Sequence, residues 1–150
     1  MSALVPNVVK FTVPIDEGHE GQTFILWPCD GEALRRFVKE QFDLDPGDRN
    51  AWDGKCYVSQ GLDDRVGQPS VVMALQSWEL NLKDPRHWES NAHQLSPLAH
   101  ECFHAAEWML KQTGYVTPVI KPGEQWEACE DAAFLLQRIT RRALEGMLKD

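Results

Sequence analysis

Short runs of β-branched and aromatic residues, separated by polar turns, occupy the first half of the 150-residue chain. Runs of this kind predict β-strands. Between the second and third runs, Asp30 can cap a helix over "GEALRRFVKEQF", where Leu34, Phe37 and Val38 fall at helical spacing. The strands predicted in this way cover residues 8–14, 22–28, 55–60 and 70–78.

The second half of the chain has the spacing of two helices. Ser96 is a good N-cap and Pro97 suits a first helical turn, so we expect a helix over 97–113 that Gly114 ends. The polar stretch 79–95 before it is expected to be irregular. A further helix is predicted over 124–148 from an apolar stripe. The chain therefore reads as one α+β domain over residues 1–150, in the order β-β-α-β-β-α-α. The stripe consists of Ala132, Leu135, Leu136, Ile139 and Leu144.

Charge narrows the classes of partner. The chain has 15 Lys and Arg against 23 Asp and Glu, a formal net charge of −8. This balance argues against nucleic acid or an anionic membrane as the main partner, because both require a basic face. The cluster Arg138, Arg141 and Arg142 lies near the end of the last predicted helix, where we expect it to complement the helix dipole.

The cellular location is predicted from three features: the N-terminus, the length of the apolar runs and the spacing of the cysteines. The N-terminus does not have the pattern of a signal peptide, and no apolar run is long enough to span a bilayer. The cysteines include no C-x-x-C pair and are expected to be reduced thiols in the core, which favours the cytoplasm. They are Cys29, Cys56, Cys102 and Cys129.

The segment "LAHECFHAAEWML" carries the pattern H-E-x-x-H in the middle of a predicted helix. Residues four apart on a helix are offset by about 40° around the axis, so His100 and His104 present their imidazoles on one face. Glu101 lies beside them. Neutral imidazoles suit Zn²⁺, and a neighbouring carboxylate can take the proton of a zinc-bound water. The pattern predicts a zinc site with its own general base.

A hydrolytic zinc site has three protein ligands, so a third is expected downstream. In "GEQWEACEDAAFLL", Glu127 and Asp131 are four apart and share a helix face. Glu127 is the favoured third ligand, and Asp131 can accept a hydrogen bond from the other nitrogen of a liganding histidine. Glu124 and Glu130 are the competing acids.

H-E-x-x-H followed by E-x-x-x-D on the next helix resembles the gluzincin branch of zinc metallopeptidases. It is also similar to the minimal ImmA/IrrE-type peptidases and to small phage-encoded proteins of this length. The resemblance covers residues 97 to about 140. Two departures are the absence of an asparagine before the acidic-helix glutamate and of any attached helix-turn-helix or large substrate domain.

The resemblance implies a compact zincin-like fold, with a small sheet packed on the H-E-x-x-H helix and a C-terminal helix that carries the third ligand. It implies His100, His104 and Glu127 as zinc ligands and Glu101 as the general base of a peptidase. It also suggests strand 70–78 as an edge strand that pairs with a peptide substrate, although an interior strand fits the sequence equally well. The alternative function is a non-catalytic zinc-containing binding or assembly protein, of the kind that phages encode.

Other side chains near the motif are weaker candidates. His87, His93 or Tyr115 could stabilise an oxyanion, but none belongs to a motif. Cys102 lies about 200° around the helix from His100 and is expected in the core. His19, in the acidic turn, is expected to be solvated.

Overall fold

The computed structural model describes residues 5–16, 18–42, 56–60, 69–76, 78, 80, 83–113, 121–123 and 130–148. Within them the order of elements is that predicted from the sequence, with a short 3-10 turn, Pro85–His87, before the second helix. The described part of the chain is therefore α+β. The strands are β1 (Asn7–Asp16), β2 (His19–Trp27), β3 (Cys56–Gln60) and β4 (Pro69–Ala74), and the helices are α1 (Gly31–Phe42), α2 (Trp88–Gln112) and α3 (Glu130–Met147).

The four strands form one sheet in the order β1-β2-β4-β3. β2 pairs antiparallel with β1 and parallel with β4, and β3 pairs antiparallel with β4. β4 is thus an interior strand, and all six of its residues are buried. The suggestion that residues 70–78 form an edge strand is wrong, because both sides of β4 are already hydrogen-bonded to neighbours.

The β1–β2 hairpin is tighter than its composition indicates. The sequence predicts strands over 8–14 and 22–28, but β1 continues to Asp16 and β2 already begins at His19. Gly18, with φ of 113°, occupies the turn, a conformation that glycine adopts readily. His19 Nδ1 lies 2.5 Å from Asp16 Oδ1, so this exposed histidine is paired across the turn and not simply solvated.

The sheet has two hydrophobic faces because successive side chains of a strand point to opposite sides. Ile25 and Met73 face one core with α2 and α3, whereas Phe24 and Leu26 face a second core with α1. β4 and the part of β2 from residue 21 to residue 26 are buried on both sides, which explains the apolar runs "FIL" in β2 and "VVMA" in β4. The helix that carries His100 and His104 therefore lies on the same face of the sheet as α3.

α1 has the bounds that the sequence predicts. Asp30 Oδ1 accepts a hydrogen bond from the backbone N–H of Ala33 at 2.8 Å, which is the predicted N-cap. Leu34 and Val38 are fully buried against the sheet, and the rings of Phe37 and Phe42 contact Phe24 edge-on. Local capping and apolar spacing agree here with the tertiary packing.

α2 begins nine residues earlier than predicted, at Trp88 instead of Pro97. The Ser96 hydroxyl donates to the carbonyl of Ala92 at 2.8 Å, so Ser96 lies inside the helix and is not its cap. The chain enters α2 through the 3-10 turn Pro85–His87, in which the Asp84 carboxylate accepts a hydrogen bond from the backbone N–H of Arg86 at 3.0 Å. Asn91, in the first turn of α2, is buried, whereas Pro97 is exposed and has no N–H to donate to the carbonyl four residues before it.

α3 buries the predicted stripe through Leu135 and Ile139, while its first predicted residues, 124–129, lie outside the described residues. The arginines do not complement the helix dipole as expected. Arg138 and Arg142 donate to the backbone carbonyls of Pro14 and Thr12 at 3.4 and 3.3 Å. They attach α3 to β1 and use acceptors of that strand. In the described parts of the chain, no helix is long and apolar enough to cross a membrane.

Gly146 marks a close approach of α3 to β1 that gives a testable stability prediction. A Cβ at this position would lie 2.5 Å from Cγ1 of Val9. A glycine-to-alanine change in an open helix position stabilises by about 1 kcal/mol. We expect Gly146→Ala instead to lower the free energy of unfolding by about 1 to 3 kcal/mol, because the added methyl overpacks the contact. Urea unfolding measures the change.

The matched control is the double variant Gly146→Ala with Val9→Ala. Removing the opposing methyl groups should restore part of the lost stability, relative to Val9→Ala alone. A Gly146→Ala protein more stable than the wild type would contradict the close contact between α3 and β1.

Candidate metal centre

α2 has a buried side and an exposed side, and the H-E-x-x-H residues are divided between them. Leu98, Cys102, Ala105 and Met109 are buried in the core that α2 shares with the sheet and α3. His100 and His104 are exposed. The periodicity that buries one stripe of α2 thus leaves the two imidazoles available to a ligand from solvent.

The two imidazoles converge. Nε2 of His100 lies 3.1 Å from Nε2 of His104, and the ring centroids are 4.7 Å apart at an interplanar angle of 76°. Two nitrogens bound to one tetrahedral zinc, each at 2.0–2.1 Å, lie about 3.3 Å apart. The donor atoms are therefore within a few tenths of an ångström of the separation that a shared metal ion requires, and the donor type fits zinc.

Glu101 lies beside this pair but is withdrawn from solvent, with an exposed fraction of 3%. At about 100° per residue it follows His100 around the helix, towards the core side. A carboxylate at the boundary between a core and two exposed imidazoles occupies a lower dielectric than one at the surface.

The buried cysteines are poor metal ligands. Burial raises the pKa of the Cys102 thiol to about 11, with a smaller opposing effect from a Thr140 hydrogen bond and a smaller addition from the Glu101 charge. Burial, with the nearby charge of Asp30, raises the pKa of Cys29 to about 12. Metal binding needs the thiolate, which these pKa values disfavour. The prediction that Cys102 belongs to the core is confirmed.

The remaining predicted site residues are placed as follows. Glu127 and Tyr115, like Glu124, lie outside the described residues. Asp131 and Glu130 are exposed in the first turn of α3. Among the residues that the structure describes, no three His, Cys, Asp or Glu side chains are grouped closely enough to hold a metal ion. The structure thus brings together His100 and His104, and Glu127 stays a prediction.

The longer α2 changes the surroundings of the pair. His93, expected before the helix, lies on it, seven residues from His100 and so on the same face, and it is exposed. Glu107 lies seven residues after His100 on the same face of α2 and pairs with Lys111 at 3.7 Å. Phe103 is also exposed and contacts His104.

The chain matches none of the family models, curated proteins or solved structures with which it was compared. The described residues define an α+β protein in which two exposed histidines converge on one helix, next in sequence to a buried glutamate. Its function is therefore inferred from those side chains.

Proposed function

We propose that this protein is a zinc-dependent hydrolase, of the metallopeptidase kind, that binds zinc through His100 and His104. The observation that carries the proposal is the 3.1 Å separation of the two Nε2 atoms on the exposed side of α2. Without an ion, this contact is an N–H···N hydrogen bond between the two rings, and the proposal is that zinc takes the place of the shared proton, since its ligands need nearly the same separation. The buried Glu101 next to them adds the group that water activation requires.

The full ligand set is proposed from the sequence pattern. Glu127 completes the set, and Asp131 orients one of the liganding imidazoles by accepting a hydrogen bond from its other nitrogen. Support comes from the core that α2 shares with α3, the helix that begins at Glu130. In this proposal the domain is zincin-like, with its sheet behind the histidine-bearing helix.

Zinc, when bound, would polarise a substrate carbonyl and lower the pKa of a bound water. Glu101 would accept the proton of that water and then donate it to the leaving amine. His100 and His104 would hold their Nε2 lone pairs towards the ion, which requires both imidazoles to be neutral. The burial of Glu101 on the core side would limit competition from bulk water for its carboxylate.

The sheet suggests where an extended substrate would lie. β4 is interior, and the carbonyls of Thr12 and Pro14 on β1 already accept from arginines of α3. β3 pairs with β4 and contacts α2. We therefore propose that a peptide adds to the outer side of β3, which is an edge of the sheet among the described residues and contacts the helix that carries the histidines.

The alternative is a zinc-containing binding or assembly protein without catalysis. The burial of Glu101 favours it, since a carboxylate at 3% exposure also fits a structural role inside the domain. The two functions share the ligands and differ in whether the metal keeps a position for water.

The test is metal analysis together with a cleavage screen. We expect the purified protein, dialysed against zinc-containing and then zinc-free buffer, to retain about one zinc per chain. Incubation with a peptide library, read by mass spectrometry, should give cleavage that a chelator abolishes and zinc restores. Failure to retain zinc contradicts the proposal. Retained zinc without any cleavage selects the binding protein.

A further inference from the structure

Phe103 is an aromatic side chain left in solvent beside a candidate zinc ligand. Its exposed fraction is 52%. Its ring centroid lies 6.2 Å from that of His104, with the rings at 64°. Isolated apolar side chains are ordinary on protein surfaces. Phe103 differs from such a residue because it packs against one of the two imidazoles on which the proposed chemistry depends.

The positions of the side chains around α2 show that Phe103 and Glu101 lie on opposite sides of His100. At about 100° per residue, Phe103 lies about 60° to one side of His100, and Glu101 lies about 100° to the other side. Glu101 is on the buried side, and Phe103 is on the solvent side. A molecule bound at the imidazoles would therefore have the carboxylate on one flank and the aromatic ring on the other.

We infer that Phe103 is a specificity-determining residue, which packs against an apolar, above all aromatic, side chain of the substrate next to the bond that is hydrolysed. This inference rests on the proposed function. Aromatic pairs gain about 0.5–1.5 kcal/mol beyond their buried area, which corresponds to roughly tenfold in affinity at the upper end. The substrates selected in this way are peptides with an aromatic residue adjacent to the cleaved bond.

The test compares two probes that share one metal-binding group. Zinc-loaded protein is titrated with acetohydroxamic acid and with 3-phenylpropanohydroxamic acid, and the ratio of the two dissociation constants is measured by calorimetry. We expect the phenyl compound to bind the wild type about tenfold more tightly. Phe103→Ala should reduce this ratio to within about threefold, and Phe103→Tyr, which keeps the ring, should preserve it.

Phe134 provides the matched control, because it is exposed to nearly the same extent, 49%, but lies on α3. Phe134→Ala should leave the ratio unchanged. Zinc content is measured in every sample. If the wild-type protein takes up no zinc, both the proposed function and this inference are contradicted. Zinc-loaded wild type without the preference, or Phe103→Ala with the preference intact, overturns the inference alone.

Discussion

Replacing Glu101 with glutamine is expected to abolish most of the hydrolytic activity while leaving zinc in place. Glutamine keeps the size of the side chain but cannot accept the proton of a water, and a positioned general base contributes roughly a hundredfold to ten-thousandfold to the rate. We expect kcat to fall by a factor in this range. The measurement is turnover of the best peptide from the screen, with zinc content determined on the same preparation.

Because Glu101 is buried at 3% exposure, its replacement can also act through stability. Urea unfolding of Glu101→Gln, with and without zinc, separates the two roles. Glu107→Gln is the matched control, since Glu107 is on the same helix but is half-exposed and paired with Lys111. A zinc-replete Glu101→Gln protein with unchanged turnover would remove Glu101 as the base, and a loss of stability without loss of turnover would make it structural.

Loss of either histidine is expected to remove the metal. Neither imidazole has a described substitute within reach, because no third ligand-type side chain is grouped with the pair in the part of the chain that the structure describes. We expect His100→Ala and His104→Ala each to weaken zinc affinity by more than about 100-fold, the upper limit for loss of an outer hydrogen-bond partner. Competition with a chromophoric chelator measures the affinity.

His93→Ala is the control for these variants, because His93 shares the same face of α2 but lies seven residues before His100. It should retain zinc. Full zinc retention in the His100→Ala, His104→Ala double variant would rule out the metal site altogether.

The same assay identifies the third ligand among the acids. Glu127→Ala should approach the histidine variants in its effect, whereas Asp131→Ala should cost only about 10- to 100-fold. Glu130→Ala and Glu107→Ala should be close to the wild type. A large effect of Glu107→Ala would place all the ligands on α2 and remove the role proposed for the acidic segment before α3.

Elements governed by nearby residues were predictable from the sequence. α1 begins and ends where predicted because Asp30 caps it and its apolar residues repeat at helical spacing. The convergence of His100 and His104 is likewise local, since four residues of helix are enough to bring the two rings together. The order of strands and helices followed from the same periodicities.

The failures came where distant parts of the chain compete with local signals. Ser96 and Pro97 form a good start signal, yet the helix begins nine residues earlier, where Asn91 is buried and a 3-10 turn after Asp84 leads into it. Arg138 and Arg142 donate to β1, which is more than a hundred residues away in sequence. No local pattern contains that pairing.

The sequence by itself determined the order of the elements, the core character of Cys102 and the pairing of two histidines on one helix face. The tertiary structure decided which side of that helix is covered. It buried Glu101 and left both histidines and Phe103 in solvent. It also made β4 an interior strand. The physical reason is that helical and strand periods fix which side chains share a face, whereas burial depends on which other segments pack against that face.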